Sequence, residues 1–175
     1  MRLFIACELP EELTEALATT SAELRECVRG RYCAPDTFHV TLAFLGEVPA
    51  TRVEEIAQLM EGALAGTHAF TATLAELGHF GKSADATLWQ GFADPSPFRR
   101  LSTAVRGALA SADVPFESQT FRPHVTLMRR ANLARAGQLP VPCVERGLVS
   151  RVTLFSSVLS PDGPTYTPLA TVELA

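Results

Sequence analysis

The sequence predicts an α+β protein made of two pseudo-symmetric lobes, each a mainly antiparallel sheet with helices packed outside, with an active-site cleft between them. Three observations carry this expectation. Segments of strand period and helix period are interleaved, yet many of the joints are of hairpin length, which favours antiparallel pairing over a doubly wound parallel sheet. The tetrapeptide His39-Val40-Thr41-Leu42 recurs as His124-Val125-Thr126-Leu127, an offset of 85 residues. The same offset carries Leu3–Cys7 onto Leu88–Phe92, Pro10 onto Pro95, Leu13 onto Phe98 and Leu24 onto Leu109. Two copies are too few for a solenoid and fit a pseudo-twofold instead.

In chain order, Arg2–Cys7 reads as a short strand. Pro10, Glu11 and Glu12 open a helix, because Pro suits the first helical position and acids suit the positive end of the dipole. Leu13, Leu17, Leu24 and Val28 give it one apolar face, and Gly30 ends it. After the loop Ala34-Pro35-Asp36, residues Phe38–Leu45 alternate: Val40, Leu42 and Phe44 on one face, His39, Thr41 and Ala43 on the other. Thr51 with Glu54 forms a capping box for a helix carrying Val53, Ile56 and Met60, which stops near Gly66. Phe70–Leu77 and Ala86–Phe92 are strands joined through Gly78–Asp85. Asp94 and Pro95 start a helix with Phe98, Leu101, Val105, Ala108 and Leu109 inward, ending before Pro115. Strand Phe121–Met128 follows, then a weak helix near Asn132–Leu139. Leu148–Leu159 and Tyr166–Leu174 close the chain as strands around the turn Ser160-Pro161-Asp162-Gly163-Pro164.

At 175 residues the chain is expected to be one domain, residues 1–175, able to bury its own core. A hydrophobic share of 47% against 19% charged excludes a disordered chain. The formal charge of −4 disfavours a broad basic face for long nucleic acid, leaving room for a small anion in a local basic pocket. Cys7, Cys27, Cys33 and Cys143 include no Cys-x-x-Cys pair, so neither a zinc site nor a disulfide framework is expected. The apolar run Leu3–Cys7 is cut by Glu8, too short for a signal segment or a membrane span. The expectation is a cytoplasmic protein without a membrane partner.

In each repeated tetrapeptide the His and Thr lie two residues apart and so share one face of a strand. Two such strands facing across a cleft bring together two imidazoles and two hydroxyls. Imidazole titrates near neutrality, so one ring can act as general base while the other acts as general acid. In-line displacement at phosphorus needs this pair, and no carboxylate cluster is present to hold a metal. The negative charge of the phosphoryl oxygens still needs a cation. From Ser118 to Cys143 there are four arginines (Arg122, Arg129, Arg130, Arg135) and no Asp, Glu or Lys, so forked guanidinium contacts are available beside the second motif. Arg130 and Arg135 read as a solvated face. His68 and His79 lack repeated partners and read as surface or structural residues. Phe44, Phe80, Trp89 and Phe121 are candidates to stack on a base.

These residues resemble a known family. Arg2-Leu3-Phe4-Ile5-Ala6, Phe38-His39-Val40-Thr41-Leu42, Phe121-Arg122-Pro123-His124-Val125-Thr126-Leu127 and Ser157-Val158-Leu159 are similar to the two-histidine phosphoesterases. Within them the match is to the RNA 2′,3′-cyclic phosphodiesterases, long called 2′-5′ RNA ligases. The resemblance implies metal-independent hydrolysis of an RNA terminal 2′,3′-cyclic phosphate to a 2′-phosphate, with no cofactor. It makes His39 the proton donor and His124 the proton acceptor. Thr41 and Thr126 would hold phosphate oxygens, and the family's arginine five residues past the second His falls on Arg129; Arg122, from the basic cluster, and Phe44, among the stacking candidates, are further expected substrate contacts. The implied partner is an RNA end, tRNA fragments among its sources, met by a monomer. The alternatives are the reverse, ligating reaction and a non-catalytic module that binds RNA ends.

Overall fold

The apolar run near the amino terminus becomes the centre of the first sheet. The computed structural model describes residues 1–175, and in it β1 (Arg2–Glu8) is buried without alternation from Leu3 to Cys7, because both of its faces are covered. It pairs antiparallel with β3 (His39–Glu47) on one side and β8 (Arg151–Ser160) on the other, and β9 (Gly163–Glu173) extends the sheet from β8. The second sheet has the order β2-β6-β5-β4-β7, where β2 is Arg31–Tyr32, β4 Phe70–Lys82, β5 Asp85–Phe92, β6 Val125–Ala131 and β7 Arg146–Val149. All of its pairings are antiparallel too.

The offset of 85 residues reappears as structure. It relates β1 to β5, β3 to β6, and helix α1 (Glu11–Leu24) to helix α3 (Ser96–Ser111), whereas α2 (Val53–Leu64) has no counterpart. The two related helices tie the lobes together. α1 follows a strand of the first sheet but docks on β7 of the second, and α3 follows a strand of the second but docks on β3 of the first. The apolar positions assigned from the sequence meet in a shared core, with Leu13, Leu17, Leu24, Phe98, Leu101, Val105 and Leu109 all buried. Fully buried Gln90 ties β5 to β4 and to the loop before β7 by donating to the carbonyls of Ala75 and Cys143, both at 2.8 Å.

Several local expectations give way. The box Thr51–Glu54 does not form: Ala50–Arg52 is a 3-10 turn, α2 starts only at Val53, and no side chain caps it. Helix α1 ends at Leu24, and the apolar stripe continues to Val28 through turns. The strand at Phe121–Met128 begins at Val125, since Pro123 offers no N–H to a ladder. The helix at Asn132–Leu139 shrinks to the single turn Leu133–Arg135. Leu148–Leu159 is two strands in different sheets, broken at Ser150. Finally, β4 runs on to Lys82, and β2 is an element the apolar pattern did not announce.

Close docking of α1 depends on Gly147 in β7. A Cβ there would lie 2.7 Å from Pro10 Cγ and 3.1 Å from Leu13 Cγ. Gly147→Ala should therefore overpack this contact and lower stability by about 1–3 kcal/mol, read from the midpoint of urea unfolding. An unchanged midpoint would show that α1 is held elsewhere.

Candidate active site

His39 is the first residue of β3, and His124 immediately precedes β6. Their surroundings repeat closely. The Nδ1–H of His39 donates to the Thr37 carbonyl at 2.7 Å, and that of His124 donates to the Arg122 carbonyl at 2.6 Å. In both cases the acceptor sits two residues upstream. That bond places the proton of a neutral ring on Nδ1 and leaves the lone pair on Nε2. Phe4 lies against His39 with ring centroids 4.9 Å apart, and its counterpart at the offset of 85, Trp89, lies 5.8 Å from His124. Each imidazole also meets one aromatic edge-on: Tyr166 at 5.4 Å from His39, and Phe80 at 4.9 Å from His124.

Strict alternation along β3 would send Phe44 to the core side, but a β-bulge prevents this. Ala43 pairs with Ile5 and Thr41 with Ala6, so Leu42 is an extra residue without a ladder partner. Leu42 and Ala43 are both buried, and Phe44 returns to the face of His39 and Thr41, opposite Phe4. The second motif carries the same bulge: Met128 pairs with Leu88 and Thr126 with Trp89, leaving Leu127 extra. Arg129 is thus the counterpart of Phe44. Bulges concentrate beside active sites for this reason, since they re-aim a side chain. The two freed carbonyls are both satisfied. Leu42 O accepts from Ser102 Oγ at 2.8 Å and Arg106 Nε at 3.0 Å, and Leu127 O accepts from the Cys33 N–H at 2.9 Å.

Charge in the site is unbalanced. His39 is driven down to about 4, first by burial, against the Thr37 hydrogen bond, with the positive charges of His124 and Arg129 adding to the depression. His124 is lowered as well, by burial first, then by Arg129 and Arg122. The two imidazoles and Arg129 therefore share one electrostatic neighbourhood. Arg129 has no acidic partner. No group of three His, Cys, Asp or Glu side chains converges anywhere in the chain. One asymmetry separates the rings: Nε2 of His39 is 2.9 Å from Thr41 Oγ1, whereas Nε2 of His124 has no protein partner.

The remaining candidates divide. The Arg122 guanidinium lies 4.9 Å from the centroid of the Trp89 ring, beside His124. Phe44 is on the cleft face, with Arg2 stacked 4.7 Å from its centroid. Trp89 is only 3% exposed and Phe121 is packed under Arg106, so neither offers a free face, whereas Phe80 is 38% exposed. Arg130 is exposed and pairs with Asp85 at 3.2 Å, as expected of a solvated face, and His68 and His79 are exposed. Phe4, Tyr166 and Arg2 belong to the site and were not singled out from the sequence. The offset signals Phe4 through Trp89; nothing local signals Tyr166, which arrives from β9.

Two antiparallel sheets, each presenting a His-x-Thr strand with its imidazole pinned through Nδ1, define a phosphoesterase of the two-histidine class. The chain belongs to the 2′-5′ RNA ligase superfamily, whose family model matches residues 6–142. It is 33% identical to the RNA 2′,3′-cyclic phosphodiesterase of Escherichia coli over 96% of this chain and 93% of that one. It is 32% identical to the enzyme of the same name from Thermus thermophilus over 99% and 90% of the two chains. Among solved structures it superposes on the Thermus thermophilus protein TT0787 with a TM-score of 0.85, covering 99% and 98% at 31% identity. The Escherichia coli LigT structure with 3′-AMP gives 0.83 over 99% and 97%, also at 31% identity.

In the free protein His39 should be neutral at pH 7 and titrate near 4, which NMR of the imidazole can follow. A His39 that titrates at an ordinary value in the free protein would contradict the electrostatics described above.

Proposed function

We propose that this protein hydrolyses the 2′,3′-cyclic phosphate at an RNA 3′ end to a 2′-phosphate, with His39 and His124 as general acid and base. One observation carries the reading: both imidazoles are oriented by the same backbone hydrogen bond, both lie within reach of the charge of Arg129, and His39 lies within reach of that of His124. His124, whose Nε2 lacks a protein partner, takes the proton from the attacking water. The water oxygen bonds to phosphorus as the bond to the 3′-oxygen breaks, and protonated His39 delivers its Nε2 proton to that oxygen. The two protonation states are those general acid–base catalysis requires on opposite sides of one centre.

The other roles follow from position. The hydroxyls of Thr41 and Thr126 hold the non-bridging oxygens, and Arg129 supplies the cation that the developing charge needs. The Thr41 hydroxyl, which bonds His39 Nε2 in the free protein, turns to the phosphate when that nitrogen engages the leaving oxygen. Arg122 and Phe44 flank the nucleotide. On this reading one bilobed domain of residues 1–175 carries the whole site. It works as a monomer in the cytoplasm on RNA ends such as those of tRNA fragments. No helix in the chain is long and apolar enough to cross a membrane.

Incubation with an oligoribonucleotide ending in a 2′,3′-cyclic phosphate should yield the 2′-phosphate, identified by its product ester, and turnover should persist in excess EDTA. Loss on chelation that a divalent ion restores would move the chemistry to a metal. His39→Ala and His124→Ala should each lower the rate by about 10²–10⁴-fold, and the double variant by much less than the product of the two. Both should still bind the RNA end, and full hydrolysis by either would leave a binding module as the better account. Arg129→Ala should weaken binding and rate together.

A further inference from the structure

β2 is only two residues long, yet it places a second arginine beside the site. Gly30 lets it lie against β6: a Cβ there would meet Met128 Sδ at 2.6 Å, and Arg129 O and Ala131 Cα at 3.0 Å. The register that results sets Arg31 directly opposite Arg129, so the two guanidinium side chains leave the same face of the sheet. Like charges in directly opposed positions destabilise a strand pair, and neither arginine has an acidic partner to offset the repulsion. The basic line continues away from the histidines. The Asn132 N–H donates to Arg29 O at 2.9 Å, and Arg29 and Arg135, with Cys27 and Asn132, line a cavity of about 590 Å³. Arg29 and Arg135 have no ion-pair partner either. All four arginines are exposed.

We infer that Arg31, Arg29 and Arg135 form a track for the phosphodiester backbone upstream of the reacting RNA end. This rests on the cyclic-phosphate reading, and it states that the substrate is an oligonucleotide rather than a cyclic mononucleotide. Arg129 reaches the terminal phosphoryl group, Arg31 the phosphate preceding it, and the Arg29–Arg135 cavity takes the next. Arg29 and Arg31 are separated only by Gly30, at a bend just before β2, so the two guanidinium groups are close neighbours along the track. Each upstream nucleotide brings one negative charge, which relieves the repulsion between opposed arginines. The track also revises the reading of Arg135 as merely solvated.

The test compares 2′,3′-cyclic AMP with a hexanucleotide ending in a 2′,3′-cyclic phosphate. The protein should show a kcat/KM for the hexanucleotide at least about tenfold higher, the scale of one charge-assisted contact, and this advantage should shrink as salt rises. Arg31→Ala, and separately the double change Arg29→Ala with Arg135→Ala, should remove most of the advantage by raising KM for the hexanucleotide. Removing one phosphate-neutralising guanidinium should flatten the logarithmic salt dependence by about 0.7. These positions are exposed, so the variants should keep the fold, and the double variant leaves β2 untouched. Equal kcat/KM for the two substrates, or an advantage that survives both variants, would overturn the track while leaving the reaction standing. Hydrolysis of neither substrate by the unaltered protein would overturn the reaction, and the track with it.

Discussion

A hydrogen bond from Nδ1–H to the carbonyl two residues upstream holds the rings of both His39 and His124. Its consequences run through the site. It fixes the tautomer, so that a neutral ring keeps its lone pair at Nε2. It also limits rotation of the ring, which the neighbouring Phe4, Tyr166, Phe80 and Trp89 then confine further. A histidine free to rotate would populate the productive geometry only part of the time, and proximity in the right orientation is a large part of what a site contributes to rate. The acceptors, Thr37 and Arg122, lie just ahead of the strands. Each His thus sits where extended chain first joins the ladder.

The bulge that follows each motif has equal weight. By inserting Leu42 and Leu127, it returns the fifth residue after each His to the face that alternation denies it. In one lobe that residue is Phe44 and in the other Arg129. Duplication thus supplies the frame, and divergence at one equivalent position supplies an apolar wall on one side and a cation on the other. Disrupting a ladder frees a carbonyl that must find a donor. Ser102 and Arg106 provide donors on one side, and Cys33 just after β2 provides one on the other. The short strand β2 is therefore tied to the bulge as well as to the placement of Arg31.

Much of this was legible in the sequence, for physical reasons that can be named. The repeated tetrapeptides at a constant offset marked both imidazoles, both hydroxyls and the two-lobed frame, because duplicated chain folds into duplicated structure. Period-two and helical patterns located most strands and all three helices. What escaped depends on partners distant in sequence. Ser150 splits one apolar run because β7 and β8 belong to different sheets. Tyr166 reaches His39 only through the pairing of β9 with β8. β2 has no apolar pattern and exists because Gly30 permits close approach to β6. The bulges are equally silent, since simple alternation describes the same residues with Phe44 on the wrong face.

On the proposed mechanism the two imidazoles work as one unit with the phosphate between them, and the pH dependence of turnover reports on that directly. In that mechanism the productive form has His39 protonated and His124 neutral, while in the free protein burial and positive neighbours pull both below the usual imidazole range. Parallel profiles of kcat/KM and kcat should therefore differ. The kcat/KM bell, set by the free protein, should peak on the acid side of neutrality and fall as rising pH removes the proton from the pair. The kcat bell should lie at higher pH, because the bound phosphate favours the charged ring. Superimposed bells, or rates flat through the imidazole range, would contradict the central claim.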